Sequence, residues 1–314
     1  MMTEFALVGD IGGTNSRFGL VKPGSMAIQH MEALRNDNFP SLEGAIQQYL
    51  RNQSITSLSA AAIAVAAPVD GEHISLTNRD WSFSNESLQH AANAKRVRLL
   101  NDYEALALSL PHLQGDDLVQ IGGQNTSEPM LKIVLGPGTG LGMAALAPLP
   151  HGGWMALPGE LGHVTLPTVT REEFELRERM ATPGSVFTAE DAVSGGGLYL
   201  IYKTIAPDGR LASPEAVIQA ALSGDDKAAA KTLDQFIVWL ARISGDAAMA
   251  LQARGGVYLA GGIAPSIIDK LKSGPFRSIF EEKGKLAHLM RPIPVYVIVD
   301  RFPAFKGCAA SLAQ

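Results

Sequence analysis

The chain has 314 residues, 46% hydrophobic and 18% charged, an ordinary makeup for a globular protein with length enough for two domains. Its net charge of −5 argues against a nucleic-acid partner and against an anionic membrane surface. The single cysteine, Cys308, excludes an intrachain disulfide framework and a Cys-rich zinc site, and in its apolar stretch it reads as a small core residue.

Along the chain, strands are predicted at 5–9, 17–21 and 27–34, followed by a helix from 40–41 to 50 with Leu42, Ile46, Tyr49 and Leu50 at helical spacing. A buried strand at 61–66 is stopped by Pro68 and the Asp70-Gly71 turn. A short strand at 73–76 leads to a polar loop at 77–81. Ser84 can cap a helix to about 92, and 97–100 is another strand. The pattern restarts with a strand at 131–135 and a glycine hairpin, a strand near Trp154 and a helix over 170–180. A long alanine-rich helix is expected from 225 to about 254, with a break at Gly245. A strand at 257–259 runs into Ala260-Gly261-Gly262, Pro265 suits the first turn of the next helix, and a strand at 295–299 precedes a terminal helix near 307–312. The opening run 5–8 is too short for a signal-peptide core and lacks a basic leader, and the longest apolar stretch, 60–69, is too short for a membrane span. A cytoplasmic protein with two α/β domains and a cleft between them is the expectation.

Two turns look like copies of one device: Val8-Gly9-Asp10-Ile11-Gly12-Gly13-Thr14-Asn15, and Val134-Leu135-Gly136-Pro137-Gly138-Thr139-Gly140-Leu141-Gly142, roughly 125 positions further on. Each joins two strand-like runs and carries a Gly-Thr pair. Main-chain N–H groups without side-chain bulk can approach phosphate oxygens, and each threonine adds a hydroxyl. Asp10 could orient Mg²⁺ through water, or could bond its own turn. Neither turn is a P-loop or a G-x-G-x-x-G fingerprint.

Asn101-Asp102 follows a strand end, where Asn101 could bond a substrate hydroxyl and Asp102 could take a proton, or where either could cap the next helix. In Pro158-Gly159-Glu160-Leu161-Gly162-His163, glycines leave Glu160 and His163 on an open turn suited to vicinal hydroxyls, though a solvated loop carboxylate is the alternative. No further His or Cys nearby makes this a metal site. Glu190 draws no notice by itself.

With these residues assembled, the chain resembles bacterial glucokinases of the hexokinase/actin-like ATPase superfamily, the proteobacterial family in particular, over nearly its whole length. The resemblance rests on L-V-G-D-I-G-G-T-N (7–15), T-N-R-D-W (77–81), N-D-Y (101–103), G-P-G-T-G-L-G (136–142), L-P-G-E-L-G-H (157–163) and L-A-G-G-I-A-P (259–265). It implies an actin-like ATPase (ribonuclease H-like) α/β fold with a central cleft, a small domain of 1–112 plus 302–314 and a large domain of 113–301. It implies transfer of phosphate from ATP to the 6-hydroxyl of glucose, giving glucose 6-phosphate and ADP, with the domains closing around the sugar to exclude water. Asp102 would be the base, and Asn78, Asn101, Glu160, His163 and Glu190 would join it in holding the sugar. Gly9, Asp10, Ile11, Gly12, Gly13, Thr14 and Asn15 would meet the nucleotide, as would Gly138, Thr139 and Gly140, with Gly261 and Gly262 against adenosine. Asp10 would serve Mg²⁺, and a homodimer is usual in the family. Pro137 and Tyr103 stand where Ala and Phe are expected, and neither change removes a needed group. Sugar-dependent ADP release separates this from a rival reading, a nucleotide-driven assembly protein with the same phosphate turns. A sugar-responsive regulator fits less well, with the first strand opening near residue 4 and no preceding DNA-binding segment.

Overall fold

The structure, a computed structural model, describes residues 5–69, 71–76 and 79–313. The chain divides into two compact units, one of 1–114, 149–158 and 300–314, the other of 115–148 and 159–299. The sequence boundaries at 112/113 and 301/302 thus stand beside turnovers at 114/115 and 299/300, and 149–158 groups with the first unit.

In the first unit, β1 (Ala6–Ile11), β2 (Asn15–Val21), β3 (Gln29–Arg35), β4 (Ala60–Val65) and β7 (Val97–Asn101) form a sheet in the order β3-β2-β1-β4-β7, while β5 (Ile74–Ser75) and β6 (Ser82–Phe83) pair separately. β1 is antiparallel to β2 but parallel to β4, which is parallel to β7. β4, Ala-Ala-Ala-Ile-Ala-Val, is buried at every position, as a central parallel strand must be. Helix α1 (Leu42–Asn52) starts where the Ser41 side chain accepts from the Gly44 N–H, and it buries Leu42, Ala45, Ile46, Tyr49 and Leu50. A Ser84/Ser87 capping box opens α2 (Asn85–Ala92), and α3 (Asp102–Ser109) follows β7 directly. The terminal helix begins at Pro303, earlier than expected, and packs on α3.

The second unit repeats that arrangement. Its strands are β8 (Leu118–Gly122), β9 (Lys132–Pro137), β10 (Leu141–Pro148), β12 (Gly256–Leu259) and β13 (Val295–Ile298), with β11 (Trp154–Gly159) lying across the sequence boundary of the units. β10 is antiparallel to β9, β9 is parallel to β12, and β12 is parallel to β13, the same succession as β2-β1-β4-β7. Both glycine-rich turns therefore close the leading hairpin of a sheet. This duplicated α/β architecture is that of the actin-like ATPases. Helices α4 (Arg171–Met180), α5 (Ala189–Ala192), α6 (Gly195–Ile205), α7 (Pro214–Ser223) and α8 (Lys227–Leu251) complete the path to β12. α8 is unbroken at Gly245: glycine is needed there because an added Cβ would lie 2.7 Å from the Phe280 carbonyl oxygen. Each unit has its own apolar core. No described helix is long and apolar enough to cross a membrane.

Candidate active site

In the first unit, parallel pairing puts Ile11, Val65 and Asn101 in one row across β1, β4 and β7. At the usual strand spacing, the first turn and Asn101-Asp102 thus leave the same sheet edge about 10 Å apart. Asp10 faces Arg17 across the hairpin, with Arg17 Nη1 3.3 Å from its Oδ2. Burial raises the Asp10 carboxyl above its ordinary range, and Arg17 opposes the rise. Gly13 and Thr14 are exposed, and the Gly12 N–H donates to the Asn15 carbonyl at 3.1 Å, closing the turn. Gly9 lies inside β1 between Phe18 and Ile63, and the Ile11 side chain is core. Cys308 is also core: its thiol donates to the Gly9 carbonyl at 3.5 Å, and burial pushes it up to about 12.

The turn is held from behind by a residue that no motif marked. Asn36 is fully buried, and its Nδ2 donates to the carbonyls of Gly12 (2.8 Å) and Gly13 (3.1 Å). Arg79 adds an Nε–H bond to the Gly13 carbonyl at 3.4 Å, pairs with Asp37, and lies over the Trp81 ring. Asn78 lies outside the described residues.

Asn101 caps α3: its Oδ1 accepts from the Tyr103 N–H at 2.9 Å and the Glu104 N–H at 3.4 Å, and its Nδ2 donates to the Ala67 carbonyl at 3.3 Å. Capping thus occupies much of this amide. The Asp102 carboxylate accepts from the Tyr103 N–H at 2.9 Å. Burial pushes the Asp102 carboxyl up from 3.8 to about 6; the Tyr103 N–H draws it back, and the negative charge of Asp10 pushes it up further. Asp10 and Asp102 are therefore brought within electrostatic reach.

In the second unit, Leu135 pairs with Leu259, so the second turn and Gly261-Gly262 share a sheet edge. Their backbones touch. A Cβ on Gly136 would stand 2.2 Å from the Ala260 carbonyl oxygen, and one on Gly261, whose φ is +83°, would stand 2.5 Å from that of Pro137. The Gly195 N–H donates to the Gly138 carbonyl at 2.9 Å, tying the turn to the start of α6. Beside it opens a cavity of about 540 Å³, lined by Gly138, Thr139, Gly195, Gly196, Pro214, Glu215, Ile218, Gln219, Gly262, Ile263 and Ser266. Its size and mixed lining suit a nucleoside.

Glu190, on α5, joins two motifs that are distant in sequence. Its Oε2 accepts from the Leu141 N–H at 2.8 Å, and a Cβ on Gly140 would lie 2.4 Å from the same oxygen, one on Gly162 3.2 Å. The glycines of 136–142 and 157–163 thus make room for this carboxylate. Glu160 and His163 are exposed at the two ends of one turn, where the His163 N–H donates to the Glu160 carbonyl at 3.1 Å.

Among the described residues no three or more His, Cys, Asp or Glu side chains gather to hold a metal ion. Asp10, paired with Arg17, offers one carboxylate at the first turn, a donor set that suits a Mg²⁺ held mostly by water and phosphate oxygens.

The family model for glucokinase matches residues 7–314. A glucokinase from Neisseria meningitidis serogroup C is 37% identical, covering 98% of this chain and 94% of its own. Among solved structures, a glucokinase from an Antarctic psychrotroph gives a TM-score of 0.89 at 29% identity over 98% of both chains. A ROK family glucokinase from Streptomyces griseus, in complex with glucose and AMPPNP, gives 0.68 at 19% identity over 97% of this chain and 98% of its own, a likeness of fold.

Proposed function

Because the chain belongs to the glucokinase family and is a glucose kinase using ATP, we propose that Asp102 is the base that takes the proton from the sugar's 6-hydroxyl. The observation that carries this is the Asp102 carboxyl at a strand end, raised to about 6 yet ionised at neutral pH. A base in that range matches its task better than an ordinary carboxylate. As the proton passes to Asp102, the 6-oxygen forms its bond to the γ-phosphorus, the bond to the bridging oxygen breaks, and ADP leaves with that oxygen. Asn101, Glu160, His163 and Glu190 are proposed to bond the remaining hydroxyls, together with Asn78.

The exposed Gly13-Thr14 pair and the exposed Thr139 beside half-buried Gly138 support contact with phosphates, and the cavity at Gly138, Gly262 and Ile218 supports a place for adenosine. Mg²⁺ bound with the nucleotide would neutralise phosphate charge, with Asp10 as its protein partner through water. The test is sugar-phosphate formation with Mg²⁺ across a panel of hexoses, with ATP, ADP or polyphosphate as donor and ADP release followed where ATP is the donor. The expected result is release from ATP that depends on glucose. ATP hydrolysis indifferent to every sugar would overturn the proposal.

A further inference from the structure

Asn36 is a fully buried polar side chain with every hydrogen-bonding group of its amide engaged. β3, paired with β2, carries it to the first turn: Arg35 pairs with Asn15, so the next residue arrives behind Gly12-Gly13. There its Nδ2 takes the carbonyls of Gly12 and Gly13, and its own N–H donates to the carbonyl of Thr14 at 3.0 Å. One residue therefore fixes three successive carbonyls.

In a trans peptide the C=O and the following N–H lie in one plane and point in opposite directions. Holding the Gly12 carbonyl on Asn36 turns the Gly13 N–H away from it. Holding the Gly13 carbonyl does the same to the Thr14 N–H. Gly13 and Thr14 are both exposed, so these amides are aimed outward from the buried strut. Successive N–H groups aimed one way make an anion-binding concavity. We propose that Asn36 is the positioning residue of this turn, holding its carbonyls back so that the Gly13 and Thr14 amides face the phosphates of the nucleotide. The proposal rests on the first turn being a phosphate turn and adds the residue that sets its peptide planes.

The amide is itself oriented. Ser16 Oγ donates to Asn36 Oδ1 at 2.8 Å, which fixes Nδ2 on the glycine side. Aspartate is nearly the same size but would place a carboxylate oxygen against two carbonyls. The role therefore requires a donor, not a shape.

The test compares wild type with Asn36→Asp, Ser16→Ala and Thr14→Ala. Calorimetry measures affinity for Mg²⁺-AMPPNP, and intrinsic fluorescence measures affinity for glucose. Asn36→Asp is expected to weaken AMPPNP binding about tenfold or more, and Ser16→Ala about two- to fivefold, with glucose affinity held within about twofold. If Thr14→Ala weakens AMPPNP and the Asn36 and Ser16 variants do not, the role of Asn36 is overturned alone. If none of the three changes AMPPNP affinity, the first turn is not the phosphate turn and both readings fall. Equal losses for both ligands with a lowered Tm would show a merely structural residue and also overturn the proposal. Should Asn36→Asp not fold, Ser16→Ala decides: a loss selective for AMPPNP supports the strut, and no selective loss overturns it.

Discussion

The two glycine-rich turns occupy equivalent points in sheets of the same strand order, yet they are held by different means. Side chains hold the first: Asn36 and Arg79 take its carbonyls, and Arg17 pairs with Asp10. The second is braced mainly by main chain, with Gly136 against Ala260, Gly261 against Pro137, and the Gly195 N–H on the Gly138 carbonyl. A turn held by side chains can carry a carboxylate and respond to charge. One braced by backbone leaves no room for a Cβ at Gly136 or Gly261, and the carboxylate against it, Glu190, is supplied from α5 and not from the turn.

The two turns should differ most in how they respond to loss of charge. Asp10→Asn should lower kcat about 10²–10³-fold, as removal of one fixed electrostatic group does, whereas Thr139→Ala should raise the KM for ATP less than about tenfold and leave kcat near normal. Steady-state rates at saturating Mg²⁺ check this, and equal losses from both variants would erase the distinction. Sterics give the next effect. Gly136→Ala sets a Cβ 2.2 Å from a backbone oxygen, while a Cβ on Gly12 meets only the Asn15 oxygen at 3.6 Å. Denaturant titration should show a loss of about 3 kcal/mol or more for Gly136→Ala and within about 1 kcal/mol for Gly12→Ala.

The smallest effect sharpens the electrostatics near the first turn. The folded Asp102 carboxyl, at about 6, holds its proton more tightly than an unfolded one at 3.8, so stability falls as pH rises through that window. Asp102→Asn removes this loss. At pH 8 it should be more stable than wild type by about 1–2 kcal/mol, a figure reduced for partial exposure, and below about pH 4 the difference should vanish. An Asp102→Asn variant less stable than wild type at pH 8 would show that burial does not govern this carboxyl.

Both hairpins were legible in the sequence because a buried run, a glycine turn and a second apolar run have few other ways to fold. Neither α6 nor α7 was anticipated: α7 has a plain start, Ser213 then Pro214, that went unread, whereas α6 opens on Gly195-Gly196-Gly197 and reads as loop. Only the packing of Gly197 against Ala192 explains why glycine is used inside that helix. β8 was missed because its residues are mostly half-buried and show no clean alternation. Asn101 was read with both its roles open, and the structure gives it the cap. Asn36 and the place of Glu190 could not be read locally: the first depends on the β2–β3 register, the second on two glycines from separate motifs meeting one carboxylate.

Proton transfer from the sugar hydroxyl to Asp102 is probed by kcat for Asp102→Ala measured beside its glucose affinity. kcat should fall about 10²–10⁴-fold with glucose binding retained within about threefold. A variant that binds glucose and turns over at a near-normal rate would contradict it.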